Sequence, residues 1–389
     1  MRGRREGALM VTQGKIRDGQ QGVTLVELMV GAVVATTIIA AGYAVLSSSD
    51  KALTTNEQTV ETQQNVRVAM EFLFRDIRQA GFGMNGPVGN CPTAIVPADN
   101  NTAGPDRGPD RISLVVPVGN PVGTATDPAW VLNSDTTIGF NLLALPSALV
   151  VTNMTSEAGG SLTAPSATIS IGGAITTTVT AASGANLTVA AVPAPVVMKQ
   201  NSPIYLLQCI TYQIIPPPDP TGLCAGRSPC LVRGVAGGMT AGVLDCTTAG
   251  SRCMSIADEI EDIQFAYGCD GCVGTVNGGT PDGIIDNQGG AAGFDQADFV
   301  TNNAWGTPPM TADTIQLAQV TIVGRQRRAD RGFGDSNQQT AQGTALQVSD
   351  HLHSDGVFAS GDYATLTPPY TSTRRRLLTR TIELRNLRH

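Results

Sequence analysis

Residues 22–50 read GVTLVELMVGAVVATTIIAAGYAVLSSSD, and they follow directly on a charged leader. No charged side chain occurs between Leu28 and Ser49. Because a helix rises about 1.5 Å per residue and the hydrocarbon core of a bilayer is about 30 Å thick, this run is long enough for one crossing. The leader has five basic residues against two acidic ones, which predicts that the N-terminus stays in the cytoplasm.

Glu27 is an acid inside this apolar run. A charged side chain near the centre of a membrane helix costs about 2.5–3.5 kcal/mol, and such a residue predicts a function and a charged partner. A secretory signal sequence cut at the small residues of 40–49 is one alternative, and the acid argues against it. Cleavage after Gly22 would instead create an α-amine at Val23, close to Glu27 in the same chain or a neighbouring one. The two opposite charges would then offset each other's loss of hydration.

The segment GVTLVELMV, residues 22–30, resembles the cleavage and methylation motif of type IV prepilins. The resemblance implies that a prepilin peptidase cuts after Gly22 and methylates the new amine of Val23. It also implies that Glu27 helps to dock the subunit into a growing filament. The family usually has Phe at the first mature position, where this chain has Val23. A plain signal anchor is the alternative.

The helical pattern continues through residues 50–80 and stops at the glycines 81 and 83. The apolar residues that recur there at roughly helical spacing are Leu53, Val60, Val66, Met70, Leu73 and Ile77. Their spacing is too irregular for a coiled coil, so this stripe is predicted to pack on a globular head. The predicted organisation is a cytoplasmic leader over 1–22, one long helix over 23–80 with its membrane span at about 23–46, and a head over 81–389.

The head is predicted to be rich in strands and loops, because it combines β-branched residues with many of the 44 glycines and 23 prolines. Strands are predicted within 110–119, 204–215, 313–327 and 375–386. The charge-free residues 158–197 predict short hairpins, with a disordered stalk as the alternative. The predicted fold class is therefore α+β and, with the prepilin resemblance, type IV pilin-like.

A short helix is predicted in SIADEIEDIQFAYGCDG, residues 255–271, ahead of a strand that begins near residue 263. Ser255 is a candidate N-cap. Ile256, Ile260 and Ile263 would share one face of that helix.

Eight cysteines are predicted to lie outside the cytoplasm, where an even number favours disulfides. They are Cys91, Cys209, Cys224, Cys230, Cys246, Cys253, Cys269 and Cys272. Close spacing suggests the pairs 224–230, 246–253 and 269–272, which leaves 91–209. Eight cysteines permit many pairings, so the connectivity stays open. The alternative is a zinc site that uses the last four thiolates.

A candidate calcium loop lies in residues 269–299, where Asp270, Asn277, Asp282 and Asp286 fall in a glycine-rich stretch. Calcium takes six to eight oxygen ligands, and carboxylates on a bent loop can supply them. The segment DGIID, residues 282–286, resembles the middle of an EF-hand loop, but several ligand positions of that motif are missing. An acidic surface loop is the alternative.

The sequence contains few candidate catalytic motifs. No GxSxG, HExxH or phosphate-binding glycine loop occurs, and His351 and His353 favour a solvated loop over a metal site. We therefore expect no enzymatic activity and no cofactor other than the candidate calcium. The net charge of −7 argues against nucleic acid as a partner, because phosphate contacts require clustered Lys and Arg.

Two further segments resemble PilW-like minor pilins: IEDIQFAYG at 260–268 and the arginine-rich end TSTRRRLLTRTIELRNLRH at 371–389. That end is predicted to form either a solvated strand face or an interface with an acidic neighbouring pilin. The family implies a minor pilin that primes or caps type IV pilus assembly. A type II secretion pseudopilin and a pilus-borne adhesin or ligand-binding module are the alternatives.

The resemblance also implies where the chain acts and with what. The expected partners are prepilin peptidase, other major and minor pilins, and inner-membrane lipid before assembly. The expected location is a single pass through the inner membrane of a Gram-negative bacterium with the head in the periplasm, followed by the filament at the cell surface.

Overall fold

The computed structural model describes residues 22–98, 108–138, 142–192, 196–235, 239–240, 243–247, 251–271, 281–287, 294–295, 298–301, 314–328, 346–348, 351–353 and 373–387. Helix α1 runs over Leu25–Gln79, close to the predicted 23–80. By its length and composition α1 could cross a membrane. The chain divides into two compact units, residues 1–56 and 57–389.

In the second unit, the last turns of α1 pack against strands through one buried face. Its members are Thr62, Val66, Ala69, Met70, Leu73, Asp76 and Ile77. The predicted stripe was wrong at its first two positions, since Leu53 is 62% exposed and Val60 is 51% exposed. A helix turns by about 100° per residue, which places both of these residues on the side opposite Val66.

The second helix, α2, covers Ala148–Glu157. The strands are β1 Ile95–Ala98, β2 Arg111–Val118, β3 Thr136–Ile138, β4 Leu142–Ala144, β5 Thr168–Ile171, β6 Ile175–Ser183, β7 Asn186–Val189, β8 Val196–Met198, β9 Ile204–Ile215, β10 Cys230–Val235, β11 Met239–Thr240, β12 Val243–Leu244, β13 Met254–Asp258, β14 Ile260–Cys269, β15 Val300–Thr301, β16 Ile315–Arg325, β17 Leu346–Val348, β18 His351–His353 and β19 Arg375–Glu383. One long apolar helix followed by a β-rich, disulfide-bonded head confirms the α+β pilin-like class.

Two antiparallel sheets form the centre of the head. The larger sheet has the order β1-β2-β9-β5-β6-β7-β4, with β10 joined to β9 and β13 joined to β10. The smaller sheet has the order β15-β14-β16-β19. The pairs β3–β8, β11–β12 and β17–β18 form separate ribbons. One core cluster contains residues of α1, β2, β9, β14 and β16, so the helix shares its core with both sheets.

The approach of α1 to the smaller sheet depends on Gly324 of β16. A Cβ added at this glycine would lie 2.5 Å from Val66 Cγ2 and 3.3 Å from Thr62 Cγ2. Any larger residue would therefore push the helix off the sheet, which is a common reason for glycine inside a strand.

Residues 119–203, the inserted lobe, separate β2 from β9, although these two strands are direct neighbours in the sheet. The lobe contains α2 and the strands β3–β8. Its buried residues form a cluster of their own, including Trp130, Leu132, Leu143, Leu145, Val150, Met154, Leu162, Ile169, Val179 and Leu187. The strands predicted within 158–197 are confirmed, and the alternative of a disordered stalk is wrong.

The prediction of a helix that starts near residue 255 was wrong, because this segment forms β13 and β14. The two strands meet at Glu259, whose φ of 54° turns the chain from the larger sheet into the smaller one. Ile256, Ile260 and Ile263 are β-branched, and strand pairing with β10 and β16 outweighs their helical spacing. The other predicted strands lie where the sequence placed them, at β2, β9, β16 and β19.

Three disulfides occur in the described part of the chain: Cys91–Cys209, Cys224–Cys230 and Cys246–Cys253. These pairs agree with the suggested ones. The third bridge takes two of the four thiolates that a zinc site would need. The pairing of Cys269 with Cys272 stays a prediction, since Cys272 lies outside the described residues.

Candidate functional site

The start of α1 places Thr24 and Glu27 in contact. The Glu27 carboxylate Oε2 accepts hydrogen bonds from the backbone N–H and the Oγ1–H of Thr24, at 3.2 and 3.1 Å. Thr24 Oγ1 lies 3.2 Å from the backbone nitrogen of Glu27, which donates to it. This reciprocal pair is a capping box, in which residues at N-cap and N3 satisfy each other's backbone donors. The sequence analysis missed it, although the pattern Thr-x-x-Glu at residues 24–27 carries the signal.

The capping box defines the surroundings of the predicted cleavage site. Gly22, Val23 and Thr24 precede the helix, and a Cβ added at Gly22 would meet no atom of the described residues within 4 Å. The apolar side chains of the following turns are exposed, including Leu25 at 75% and Leu28 at 67%. Among the described residues, the hydrogen-bond partners of the Glu27 side chain come from its own turn. The carboxylate is therefore reachable by a positive charge from outside this turn.

Asp76 lies near the other end of α1 and, unlike Glu27, it is buried, with 2% of its surface exposed. Its Oδ2 accepts hydrogen bonds from Tyr212 Oη at 2.7 Å and Arg233 Nε at 2.8 Å. Its Oδ1 accepts a third from Arg75 Nε at 3.1 Å. Burial raises the pKa of Tyr212, and the adjacent Asp76 charge adds to that effect. The Asp76 carboxylate thus links α1 to β9 through Tyr212 and to β10 through Arg233. Both of its oxygens accept hydrogen bonds, as is usual for a buried polar group.

Four charged side chains meet where β13 turns into β14, and we call them the corner cluster: Glu259, Glu261, Arg325 and Arg375. Arg375 binds Glu261 with two hydrogen bonds, Nε to Oε2 at 2.6 Å and Nη2 to Oε1 at 3.0 Å. Arg325 Nε donates to Glu259 Oε2 at 2.9 Å, and its Nη1 lies 3.8 Å from Glu261 Oε1. All four side chains are at most 7% exposed. Burial raises the pKa of Glu259, against the opposing effect of the Arg325 hydrogen bond.

The corner cluster corrects the prediction for the arginine-rich end. Arg375 lies neither on a solvated face nor at an interface, because it neutralises a buried glutamate. Arg376 and Arg380 of the same strand are exposed, as predicted for a solvated face or a docking face. Arg388 lies outside the described residues. The sequence could not separate these arginines, since the partner of Arg375 is 114 residues away.

Helix α1 also contacts the corner directly. Asn65 Nδ2 donates to the carbonyl of Asp258 at 3.0 Å, and Thr62 Oγ1 donates to the carbonyl of Arg325 at 3.3 Å. Gln326 Nε2 donates to Thr59 Oγ1 at 3.1 Å. Polar contacts therefore hold the last part of α1 at two levels, around residues 59–65 and at Asp76.

The candidate calcium residues have protein partners where they are described. Asp270 accepts hydrogen bonds from the backbone N–H groups of Asp282 and Gly283 and from Gln316 Nε2, at 2.7–2.9 Å. Asp286 Oδ2 accepts one from the Gly271 N–H at 2.9 Å. These bonds brace the loop. Asn277 lies outside the described residues, and within the described ones no group of three carboxylate, histidine or cysteine residues has a metal-binding arrangement. Calcium binding stays a prediction.

An exposed apolar helix that continues into a buried amphipathic half, followed by a disulfide-bonded β-rich head, defines the pilin class of α+β protein. Residues 225–386 match the family model PilW, Type IV Pilus-assembly protein W. This match supports a PilW-like protein that is involved in type IV pilus assembly. The match contains the corner cluster and Arg233, whereas α1 and the inserted lobe lie outside it. No curated protein and no solved structure matches the chain.

Proposed function

We propose that this protein is a minor pilin that primes or caps a type IV pilus. The observation that carries the proposal is helix α1, which begins with an exposed apolar segment containing Glu27 and ends in the core of the head. Lateral packing of such segments would bury their apolar surface in the filament. The Glu27 carboxylate would form an ion pair with the methylated α-amine of Val23 in a neighbouring subunit.

Processing by prepilin peptidase belongs to the same proposal. Before assembly the subunit would lie in the inner membrane, with α1 in contact with lipid and the head in the periplasm. It would then join other pilins in the filament. A head of this size would crowd a close-packed shaft, which favours few copies near the filament tip. Its role would be structural, without enzymatic activity and without nucleic acid as a partner.

Variants at the start of α1 test the proposal. Gly22→Leu should block cleavage, because the peptidase needs a small residue at that position. Glu27→Ala should leave cleavage nearly intact and strongly reduce incorporation into filaments, because the buried amine loses its opposite charge. Glu27→Gln is the matched control, because it keeps the side-chain shape without the charge.

Mass spectrometry of purified filaments and of the mature N-terminus measures both effects. A mature chain that begins elsewhere than at Val23 would contradict the scheme, as would normal incorporation of Glu27→Ala and Glu27→Gln. Co-purifying subunits separate the related alternatives: pilus subunits support a minor pilin, and secretion pseudopilins support a type II secretion role. An adhesin would be recognised by filaments that assemble normally without the chain and lose surface binding.

Calcium binding by residues 269–299 is a separate proposal. Titration calorimetry of the full chain in detergent with millimolar calcium tests it, and the double variant Asp282→Ala/Asp286→Ala is the comparison. Absence of binding heat, or heat that the double variant leaves unchanged, would reject the site.

A further inference from the structure

A cavity of about 120 Å³ lies between the inserted lobe and the adjoining strands β9 and β10. The lobe contributes Ser161, Ser166 and Thr168 to its wall, and the other side includes Cys209 and Arg252. A single water needs only about 10–15 Å³ of such volume, so the cavity has room for a small organic group. It lies at a junction between two parts of the head, where ligand sites are common.

Arg252 is the cation of this cavity, and its hydrogen-bonding capacity is incompletely used. Its Nε is buried and has no hydrogen-bond partner among the described residues. Its Nη1 lies 3.7 Å from Glu157 Oε2, which is beyond hydrogen-bond distance. A guanidinium carries five N–H donors, and a buried donor without a partner costs about 1–3 kcal/mol. The Arg252 side chain is 30% exposed, so an acceptor in the cavity would bond to its accessible Nη groups, whereas Nε stays covered.

The backbone holds Arg252 in an unusual conformation. Its φ is 43°, in the left-handed region that residues with a side chain rarely adopt. The next residue, Cys253, is bonded to Cys246, and the carbonyl of Ser251 accepts the N–H of Val235 at 2.7 Å. Such strain persists where the surrounding structure enforces it, and it is often found at binding sites. Burial also lowers the pKa of Arg252, against the opposing charge of Glu157, and the charge of Arg233 acts in the same direction as burial.

The rest of the wall indicates the chemistry of the ligand. Val88, Leu206, Leu207 and Val235 supply apolar surface, and the serine and threonine hydroxyls supply polar groups. The Cys91–Cys209 bridge fixes one side, so the cavity is built in advance of binding. A positive charge beside a short apolar wall suits a negative group on a small apolar stem.

We propose that this cavity binds a carboxylate on a short aliphatic stem, with Arg252 as its anchor. The carboxylate would accept hydrogen bonds from the guanidinium in place of its weak contact with Glu157. Two sources have this chemistry: a free short-chain organic acid, and an Asp or Glu side chain of a neighbouring polypeptide. The proposal is independent of the minor pilin role.

Butyrate is the probe for the test, and butanamide is its uncharged analogue. Saturation-transfer NMR on the full chain in detergent micelles should show butyrate binding and no comparable butanamide binding. Arg252→Gln should weaken butyrate at least about tenfold, since a charge-assisted hydrogen bond is lost. Ser166 is exposed at the rim of the cavity, and Ser166→Leu should block entry of butyrate. This variant replaces Arg252→Gln in the test if Arg252→Gln fails to fold. Arg376→Gln, at an exposed arginine of β19, should change nothing.

Absence of butyrate binding would overturn the proposal. Equal binding of butyrate and butanamide, or butyrate binding that neither cavity variant reduces, would overturn it as well. A photo-reactive residue at position 166 in piliated cells then separates the sources. An adduct with an acidic peptide of another subunit that Arg252→Gln removes identifies a polypeptide ligand, and butyrate binding without such an adduct identifies a free acid.

Discussion

Two acids of helix α1, Glu27 near its start and Asp76 near its end, have opposite surroundings. Glu27 lies among exposed apolar side chains, and its hydrogen bonds come from Thr24 in its own turn. Asp76 is almost fully buried and accepts hydrogen bonds from residues of two different strands, Tyr212 and Arg233, as well as from Arg75. Both are acids on the same helix, so the residue type alone does not distinguish their roles.

The difference shows how a buried charge is accommodated. Asp76 is compensated inside the folded chain, so its removal should affect stability of the head. Glu27 has local partners that satisfy backbone donors of the helix, and under the proposed function its carboxylate would pair with another subunit. The first acid is therefore expected to act in folding and the second in assembly.

The largest expected effect is at Asp76. Asp76→Ala should lower the free energy of unfolding by about 3–5 kcal/mol, because Arg233 would remain buried without its counter-charge. Chemical denaturation of the full chain in detergent micelles measures the change. Glu71→Ala, at an exposed position of the same helix, is the control and should have little effect. A loss below about 1 kcal/mol for Asp76→Ala would contradict this difference, because an exposed charge would have an effect of the same size.

Arg375 and Arg376 provide a second comparison within one strand. Arg375→Ala should cost about 2–3 kcal/mol, because the buried Glu261 would lose its bidentate partner. Arg376→Ala should cost little, since its side chain is exposed. The same denaturation experiment compares the two variants. Equal effects would show that the corner cluster contributes no more to stability than a surface arginine.

Thr24 tests the local nature of the Glu27 contacts. Thr24→Ala should destabilise the start of α1 by about 1 kcal/mol through loss of the capping box, and Thr24→Ser should restore most of it. Hydrogen exchange of the first turn measures this change in detergent micelles. The unfolding free energy of the head should stay the same, and a parallel loss there would contradict the separation between the two acids.

The smallest expected effect is a pH dependence at Glu259. Its pKa is raised above the ordinary value of 4.5, so the native state holds this proton more tightly than the unfolded state. The stability contributed by this group is therefore present at low pH and lost as the pH rises through the raised pKa. The difference in unfolding free energy between the native protein and Glu259→Gln should fall as the pH rises from 4.5 through the raised pKa of Glu259. A rising difference would show that attraction to Arg325 outweighs burial.

Local signals in the sequence were sufficient for a large part of the fold. Helix α1 and the strands β2, β9, β16 and β19 follow from hydrophobic periodicity and β-branched residues within each segment. The three described disulfides follow partly from close spacing. The capping box at residues 24–27 was also readable, because all of its atoms belong to a single helical turn.

Long-range contacts decided the rest. Asp76 meets Tyr212 and Arg233 across 136 and 157 residues, and Arg375 meets Glu261 across 114, so no local pattern connects them. Ile256, Ile260 and Ile263 have helical spacing and still lie in two strands, because pairing with β10 and β16 satisfies the backbone groups and buries Ile260 and Ile263. The sequence by itself determined which segments are apolar and how each could fold. Only the tertiary structure decided which charges lie inside, because the cost of burying a charge depends on the partners that the fold brings to it.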